Sequence, residues 1–182
     1  MYTIYTTPAL ILSATPHGDS DMILVLLTKE FGLIRAVANG LRKEASKLRF
    51  SLQPFSVVDV SLVKGKSIWR VTNASHIKNL VGNNNVVLEK IKLTVIKLVH
   101  GEESGNLYNI LVDGIMSNID NNESLERIMI LRILNELGYV EEKGLEEFFN
   151  STKITKNLIE KSEEKKLEII KVINKGFKAS GM

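Results

Sequence analysis

Residues 9–40 read ALILSATPHGDSDMILVLLTKEFGLIRAVANG, and the punctuation of this stretch decides the fold. Three apolar runs, Ala9 to Ala14, Met22 to Thr28 and Leu33 to Ala38, are separated by Pro16-His17-Gly18-Asp19 and Glu30-Phe31-Gly32 and closed by Asn39-Gly40. Runs this short, with Gly, Pro, Asn and Asp between them, are strands joined by turns. Two more follow, Ser56 to Val63 and Ser67 to Ala74, joined by Lys64-Gly65-Lys66. Val58, Val60 and Leu62 alternate with Asp59, Ser61 and Val63, which gives one face to a core. Five closely spaced strands predict a small all-β barrel over residues 1–80.

Beyond Leu80 the hydrophobic period changes. After the breaker cluster Gly82-Asn83-Asn84-Asn85, the residues Leu88, Ile91, Val95, Leu98 and Val99 recur at helical spacing. A second helix is expected from Asn106 to Ile119 and a third from Asn122 to Leu137, with Asp120 and Glu123 as a capping box and Gly138 as a left-handed C-cap. A last helix is expected to begin near Ser162, with Glu163 and Glu164 in its first turn, and to stop at Gly176. The chain is therefore β + α: a five-stranded barrel over 1–80, followed by an all-α domain over 81–182.

The composition bounds the chemistry. The 182 residues are 44% hydrophobic and 25% charged, as in an ordinary globular protein. With no cysteine, a disulfide scaffold and any thiolate metal site are excluded; His17, His76 and His100 have no ligand spacing, so no metal and no cofactor is expected. Apolar runs such as Met22 to Leu27 are far too short to span a membrane, and the N-terminus lacks a basic segment leading an apolar core, so the expected location is cytoplasmic. The net charge of +3 hides an asymmetry: residues 1–80 carry ten basic against five acidic side chains, and residues 81–182 fourteen against sixteen. The segment 35–49 concentrates Arg35, Arg42, Lys43, Lys47 and Arg49 against Glu44 alone.

Particular segments carry a family resemblance. The run Ala9-Leu10-Ile11-Leu12, then Pro16 to Leu24, then Leu27-Thr28-Lys29-Glu30-Phe31-Gly32 resembles the opening hairpin of the bacterial RecO family of recombination mediators. Arg35 to Arg42, leading through Ser46-Lys47-Leu48-Arg49 to Leu52-Gln53-Pro54-Phe55, is similar to that family's most characteristic segment. Leu131 to Tyr139 resembles its leucine-rich helix before a Gly-Tyr. The resemblance implies an OB-fold barrel, then a helical domain, and a nucleoid-associated role in DNA repair and recombination: binding single-stranded DNA, annealing complementary strands, and acting with RecR to displace single-strand-binding protein so that recombinase loads. It also implies that the acidic tail of single-strand-binding protein docks on the helical domain, where Lys90, Lys92, Lys97, Arg127 and Arg132 are candidates. Many relatives place a four-cysteine zinc site after the Gly-Tyr; here Val140-Glu141-Glu142-Lys143 follows. The chain is shorter than typical relatives, so the helical domain is expected to lack their last helices.

An OB barrel holds single strands with cations along the backbone and aromatic rings under the bases. The candidate DNA-binding cations are Arg35, Arg42, Lys43, Lys47 and Arg49, with Lys64 and Lys66 flanking Gly65 and Arg70 on the last strand. The alternative for this set is a solvated loop. Trp69 and Phe50 are candidate stacking rings, against packing for each; Phe55 is read as packing and Phe31 as an anchor of the hairpin turn. No catalytic residue is expected. His17, Asp19 and Asp21 mimic a carboxylate metal site, but the plainer reading is a turn whose side chains bond backbone amides. Val63-Lys64-Gly65-Lys66-Ser67 lacks the first glycine of a phosphate loop. His100 is read as a cation at a helix C-terminus. A non-enzymatic single-strand DNA mediator thus competes with an RNA-binding OB module and, more remotely, with a metal-dependent nuclease using Asp19 and Asp21.

Overall fold

A computed structural model describes residues 2–79, 85–99, 106–117, 122–141, 143–150 and 153–181. Five strands come first: β1 (Ile4–His17), β2 (Asp21–Thr28), β3 (Gly32–Ala38), β4 (Ser56–Lys64) and β5 (Trp69–Asn79). Six helices follow: α1 (Asn85–Leu98), α2 (Leu107–Ile115), α3 (Asn122–Glu136), α4 (Glu146–Asn150), α5 (Lys156–Glu164) and α6 (Lys166–Ala179). The strands belong to a compact unit within Met1–Val81, the helices to another within Gly82–Val99 and Gly105–Met182.

The strand pairings run β1-β2-β3-β5-β4 and close on β1. Every neighbour is antiparallel except β3 and β5, which meet in parallel only at Ala36↔Trp69 and Val37↔Arg70. β1 makes the closure because it is long: Ile4 to Leu10 pair with β4, and Ala9 to His17 pair with β2. Alternation does the rest. Ala9, Ile11, Leu24, Leu26, Ile34, Ala36, Val58, Val60 and Leu62 share one buried cluster with Trp69.

In the helical unit α3 is the centre, packed by α1, α2, α4, α5 and α6. Its apolar positions are correspondingly not confined to one stripe: Leu125, Ile128, Met129, Leu131, Ile133 and Leu134 are all buried. It ends as expected at Gly138 (φ 76°), where Gly138 N–H donates to Asn135 O (3.0 Å) and Tyr139 N–H to Leu134 O (2.8 Å), the two bonds of a Schellman cap.

The C-terminal helix departs from expectation. Two helices meet at Lys165 (φ −94°, ψ 17°), so Glu163 and Glu164 close α5 rather than open a helix. Gly176 is interior to α6, which runs on to Ala179. A Cβ there would lie 2.7 Å from Val140 Cγ2 and 3.0 Å from Leu134 Cδ1, so the glycine serves close helix packing rather than a stop. The second helix ends at Ile115, short of the expected Ile119, with Met116 N–H donating to Val112 O at 2.9 Å and the chain turning at Ser117. Asp120, His100 and the residues 82–84 lie outside the described residues, and with them the proposed capping box, the His100 reading and most of the breaker cluster. Among the described residues no helix is long and apolar enough to cross a membrane.

Candidate nucleic-acid interface

The basic segment after β3 is not a floppy loop. Residues 40–52 form a chain of short turns, with Lys43 N–H bonded to Gly40 O, Ser46 N–H to Lys43 O and Leu52 N–H to Leu48 O. Leu41 and Leu52 are buried in the barrel core, with Leu48 packed against it. Three further ties fasten the segment. Asp21 Oδ1 accepts the Gly40 N–H at 2.7 Å, Arg42 N–H donates to Ser20 O at 2.9 Å, and Phe55 N–H donates to Ile11 O at 2.7 Å beside the β1 bulge. Gly40 (φ 62°) supplies the left-handed turn that begins it.

This packing turns the polar side chains outward. Arg42, Lys43, Lys47 and Arg49 are all exposed, and Phe50 is 82% exposed. Arg42 and Arg49 line a groove of about 510 Å³ with Pro16, Met22, Gln53 and Pro54. Arg42 Nη1 also donates to Gly18 O at 3.2 Å, which fixes its guanidinium over the β1–β2 turn.

The other predicted cations gather elsewhere on the barrel, around the β4–β5 turn. Gly65 N–H bonds Ile68 O at 3.1 Å, and a Cβ on Gly65 would come within 2.4 Å of that oxygen, so only glycine closes the turn this tightly. Lys64, Lys66 and Arg70 line a groove of about 520 Å³ with the exposed Tyr2. Arg35 joins Lys64 and Lys66 in a second, of about 310 Å³, on the β3 side of the turn.

Trp69 is a correction. It is 5% exposed, and its ring packs against Phe31 (centroids 5.0 Å) and edge-on to Tyr5 (5.6 Å), with Lys64 Nζ 5.2 Å from its centroid. A ring so enclosed has no face for a base; Trp69 is a core residue capped by a cation. Phe55 is likewise buried, and Phe31 packs against the core beside its turn. The His17-Asp19-Asp21 cluster also resolves toward the plainer reading, since the Asp21 carboxylate is engaged by Gly40 N–H and Ser20 Oγ. Among the described residues no three acidic or histidine side chains gather as a metal site.

Two of the helical-domain candidates are also corrected. Arg132 is 3% exposed; its Nε donates to Phe148 O at 2.7 Å and its Nη2 has no partner among the described residues. Burial pushes this guanidinium below its ordinary pKa, with the Asp113 carboxylate acting the other way. Arg127 is 8% exposed and bonds Ser124 Oγ and Glu163 Oε1. Hydrogen bonds from Ser124 and then Arg127 hold the Glu163 carboxyl below its ordinary pKa. Both arginines lie on the central helix, so their cationic heads are internal. On α1, Lys90 pairs with Glu126 at 2.7 Å, Lys92 pairs with Glu89, and Lys97 is exposed.

Sequence reasoning missed two things here: the long-range tie from Asp21 to Gly40, and the three leucines that dock the basic segment. The leucines had a signal, since Leu41, Leu48 and Leu52 stand seven and four residues apart, a one-sided helical spacing.

Comparison with known proteins bears on this half of the chain and extends beyond it. A family described as "Recombination protein O N terminal" matches residues 1–80. The curated "DNA repair protein RecO" of Heliobacterium modesticaldum is 28% identical over 148 residues, covering 78% of this chain and 54% of the relative. That of Alkaliphilus metalliredigens is 31% identical over 152 residues, covering 80% and 60%. A shorter match, to that of Nostoc sp., is 40% identical over 82 residues, covering 45% and 28%. The chain thus spans only 54% and 60% of the first two relatives' lengths.

Proposed function

Because the chain belongs to the RecO family, we propose that it is a DNA repair and recombination mediator whose closed five-stranded unit is an OB fold that binds single-stranded DNA. The observation that carries this reading is the basic segment itself. Its backbone is fastened by Asp21, Ser20 and Ile11 and its leucines are buried, while four cations and one phenylalanine ring point to solvent. An exposed phenylalanine ring beside cations suits a nucleobase stacked above a neutralised backbone. The chemistry is binding rather than bond breaking, so the protein acts without an active site. Residues 1–80 serve as the DNA-binding domain and residues 81–182 as the partner domain, for RecR and for the acidic tail of single-strand-binding protein. Its place is the cytoplasm, on the nucleoid.

The test is annealing of complementary oligonucleotides by the full chain, bare and coated with cognate single-strand-binding protein, without nucleotide or divalent metal. Acceleration of both supports the reading; acceleration of neither overturns it. An RNA oligomer that abolishes DNA binding at equal concentration would move the substrate class to RNA.

A further inference from the structure

The helical unit holds a polar pocket of about 260 Å³ that strand binding does not use. Asn106, Asn109, Ile110 and Asp113 follow one another at three- and four-residue spacing, so a single face of α2 lines it. Arg132, Asn135 and Glu136 line it from α3 with the same spacing, and Phe149 of α4 completes the wall. Helix faces turned toward a neighbouring helix are ordinarily apolar, and these two are not. The Arg132 guanidinium is 3% exposed. Its Nε is bonded to the Phe148 carbonyl, its Nη2 has no partner, and among the described residues no carboxylate pairs with it. A buried cation left with one carbonyl is under-compensated, and a carboxylate is the group that compensates it best. The rim decides which carboxylate. Asp113 is exposed and has no hydrogen bond among the described residues, while Glu136 gives Oε1 to the Asn106 N–H at 2.6 Å and keeps Oε2. Two carboxylates at the rim repel a simple anion, so a carboxylate that enters must bring its own cation beside it. An α-amino acid carries both groups on one carbon. A volume of 260 Å³ is that of about nine waters at about 30 Å³ each, room for an amino acid and not for a nucleotide.

We propose that the pocket between α2, α3 and α4 binds a free α-amino acid with an apolar side chain, its carboxylate toward Arg132, its ammonium toward Asp113 and Glu136, and its side chain against Ile110 and Phe149. The site lies wholly within the helical unit, so it draws on none of the barrel's cations and stands or falls independently of strand binding. Its acidic rim also sets it apart from a dock for an acidic tail.

The experiment titrates the full chain with L-leucine, followed by calorimetry and saturation-transfer NMR. Wild type binds leucine saturably. Leucinamide, which lacks the carboxylate, and 4-methylpentanoate, which lacks the ammonium, bind more weakly by about tenfold or more. Arg132 is left in place because its Nε holds the Phe148 carbonyl. The rim is varied instead. In Asp113→Asn/Glu136→Gln the glutamine oxygen still accepts the Asn106 N–H, so the variant keeps a wild-type Tm. It loses leucine by about tenfold or more and gains 4-methylpentanoate, because a neutral rim no longer repels an anion. A merely structural role for the two carboxylates would not invert the preference. Should the double variant fold poorly, Asp113→Asn alone, at an exposed position, carries the same test. Leucinamide binding as tightly as leucine would take Arg132 out of the site, and 4-methylpentanoate binding wild type as tightly would make it a simple anion site. Unchanged leucine affinity in the rim variants would place binding elsewhere. Each of these results overturns the proposal, as does the absence of saturable leucine binding by wild type at millimolar concentration.

Discussion

Two aromatic side chains separate stability from function in this barrel, and exchanging them is the sharpest test of the interface. Phe50 is 82% exposed and touches no core; truncation to Ala is expected to change folding stability by no more than about 0.5 kcal/mol. If a base stacks on it, the same truncation removes about 1–3 kcal/mol of binding, a loss of about 5- to 150-fold in affinity. Trp69 is the reverse case. At 5% exposure, enclosed by Tyr5 and Phe31, its replacement by Ala costs about 3–5 kcal/mol, with the ring contacts worth part of that sum. Trp69→Phe keeps an aromatic core and is expected to bind DNA within about twofold of wild type, since 0.4 kcal/mol is about a factor of two. Stability is read by urea unfolding in circular dichroism, because Trp69 is the sole tryptophan, and affinity by anisotropy of a labelled oligothymidylate. Unchanged affinity in Phe50→Ala, together with a tenfold loss in a fully stable Trp69→Phe, would refute the assignment.

Binding should fall with salt at a slope of about −3 to −4 in log K against log salt if four to six phosphates are neutralised, and Arg42→Ala/Lys43→Ala/Lys47→Ala/Arg49→Ala should flatten it equally for all sequences. Asp21→Ala removes the acceptor of Gly40 N–H and should cost about 1–2 kcal/mol while exposing residues 42–51 to limited proteolysis; protease resistance equal to wild type would show that the tie is dispensable. Hydrogen bonds from Lys161 and then Lys165 depress the Glu147 carboxyl as Ser124 and Arg127 depress Glu163, so both stabilise the fold above the ordinary value of 4.5 and lose that contribution as pH falls through their lower folded values. Acid melts of the full chain should show this loss, and Glu147→Gln/Glu163→Gln should lack it. Chelator should leave Tm unchanged, because no thiolate exists in the sequence and Asp21 is committed to a turn.

The barrel was legible because its strands differ sharply from their connections. Each apolar run is bounded by Gly, Pro, Asn or Asp, and the closed pairing needs no side chain that the alternation fails to announce. The start of β1 was not legible. Pro8 interrupts the run Ile4–Ala9, and proline in a strand argues for its end. It is tolerated here because β2 begins pairing only at Ala9, so Ile4 to Pro8 are laddered on the β4 side alone. The grouping of the cations was also hidden. Sequence places Arg35 with Arg42 and Arg49, whereas strand direction carries Arg35 to the β4–β5 turn, because β3 meets β5 in parallel at Ala36 and Val37.

The buried arginines of α3 show why charge is a poor guide to surface in a helical core. A cation is expected outside when a helix has a free face, and α3 has none, being packed on every side by other helices. Arg127 therefore spends its charge on the exposed Glu163, and Arg132 its Nε on the Phe148 carbonyl; removing the Arg132 head strands a buried acceptor. Among the proposed partner-binding candidates, Lys90 and Lys97 on α1 are the exposed ones. There Val86, Lys90, Leu93 and Lys97 stand four, three and four residues apart, and Val86 and Leu93 are 68% and 52% exposed. That spacing puts apolar and cationic side chains on one face. Lys90 is held only by Glu126 in a partly exposed pair, which contributes about 0–1 kcal/mol and yields readily to another carboxylate. For the proposed docking of an acidic tail, α1 therefore offers cationic and apolar side chains on one face at little cost to the fold, whereas the Arg127 head is largely buried and already paired with Glu163.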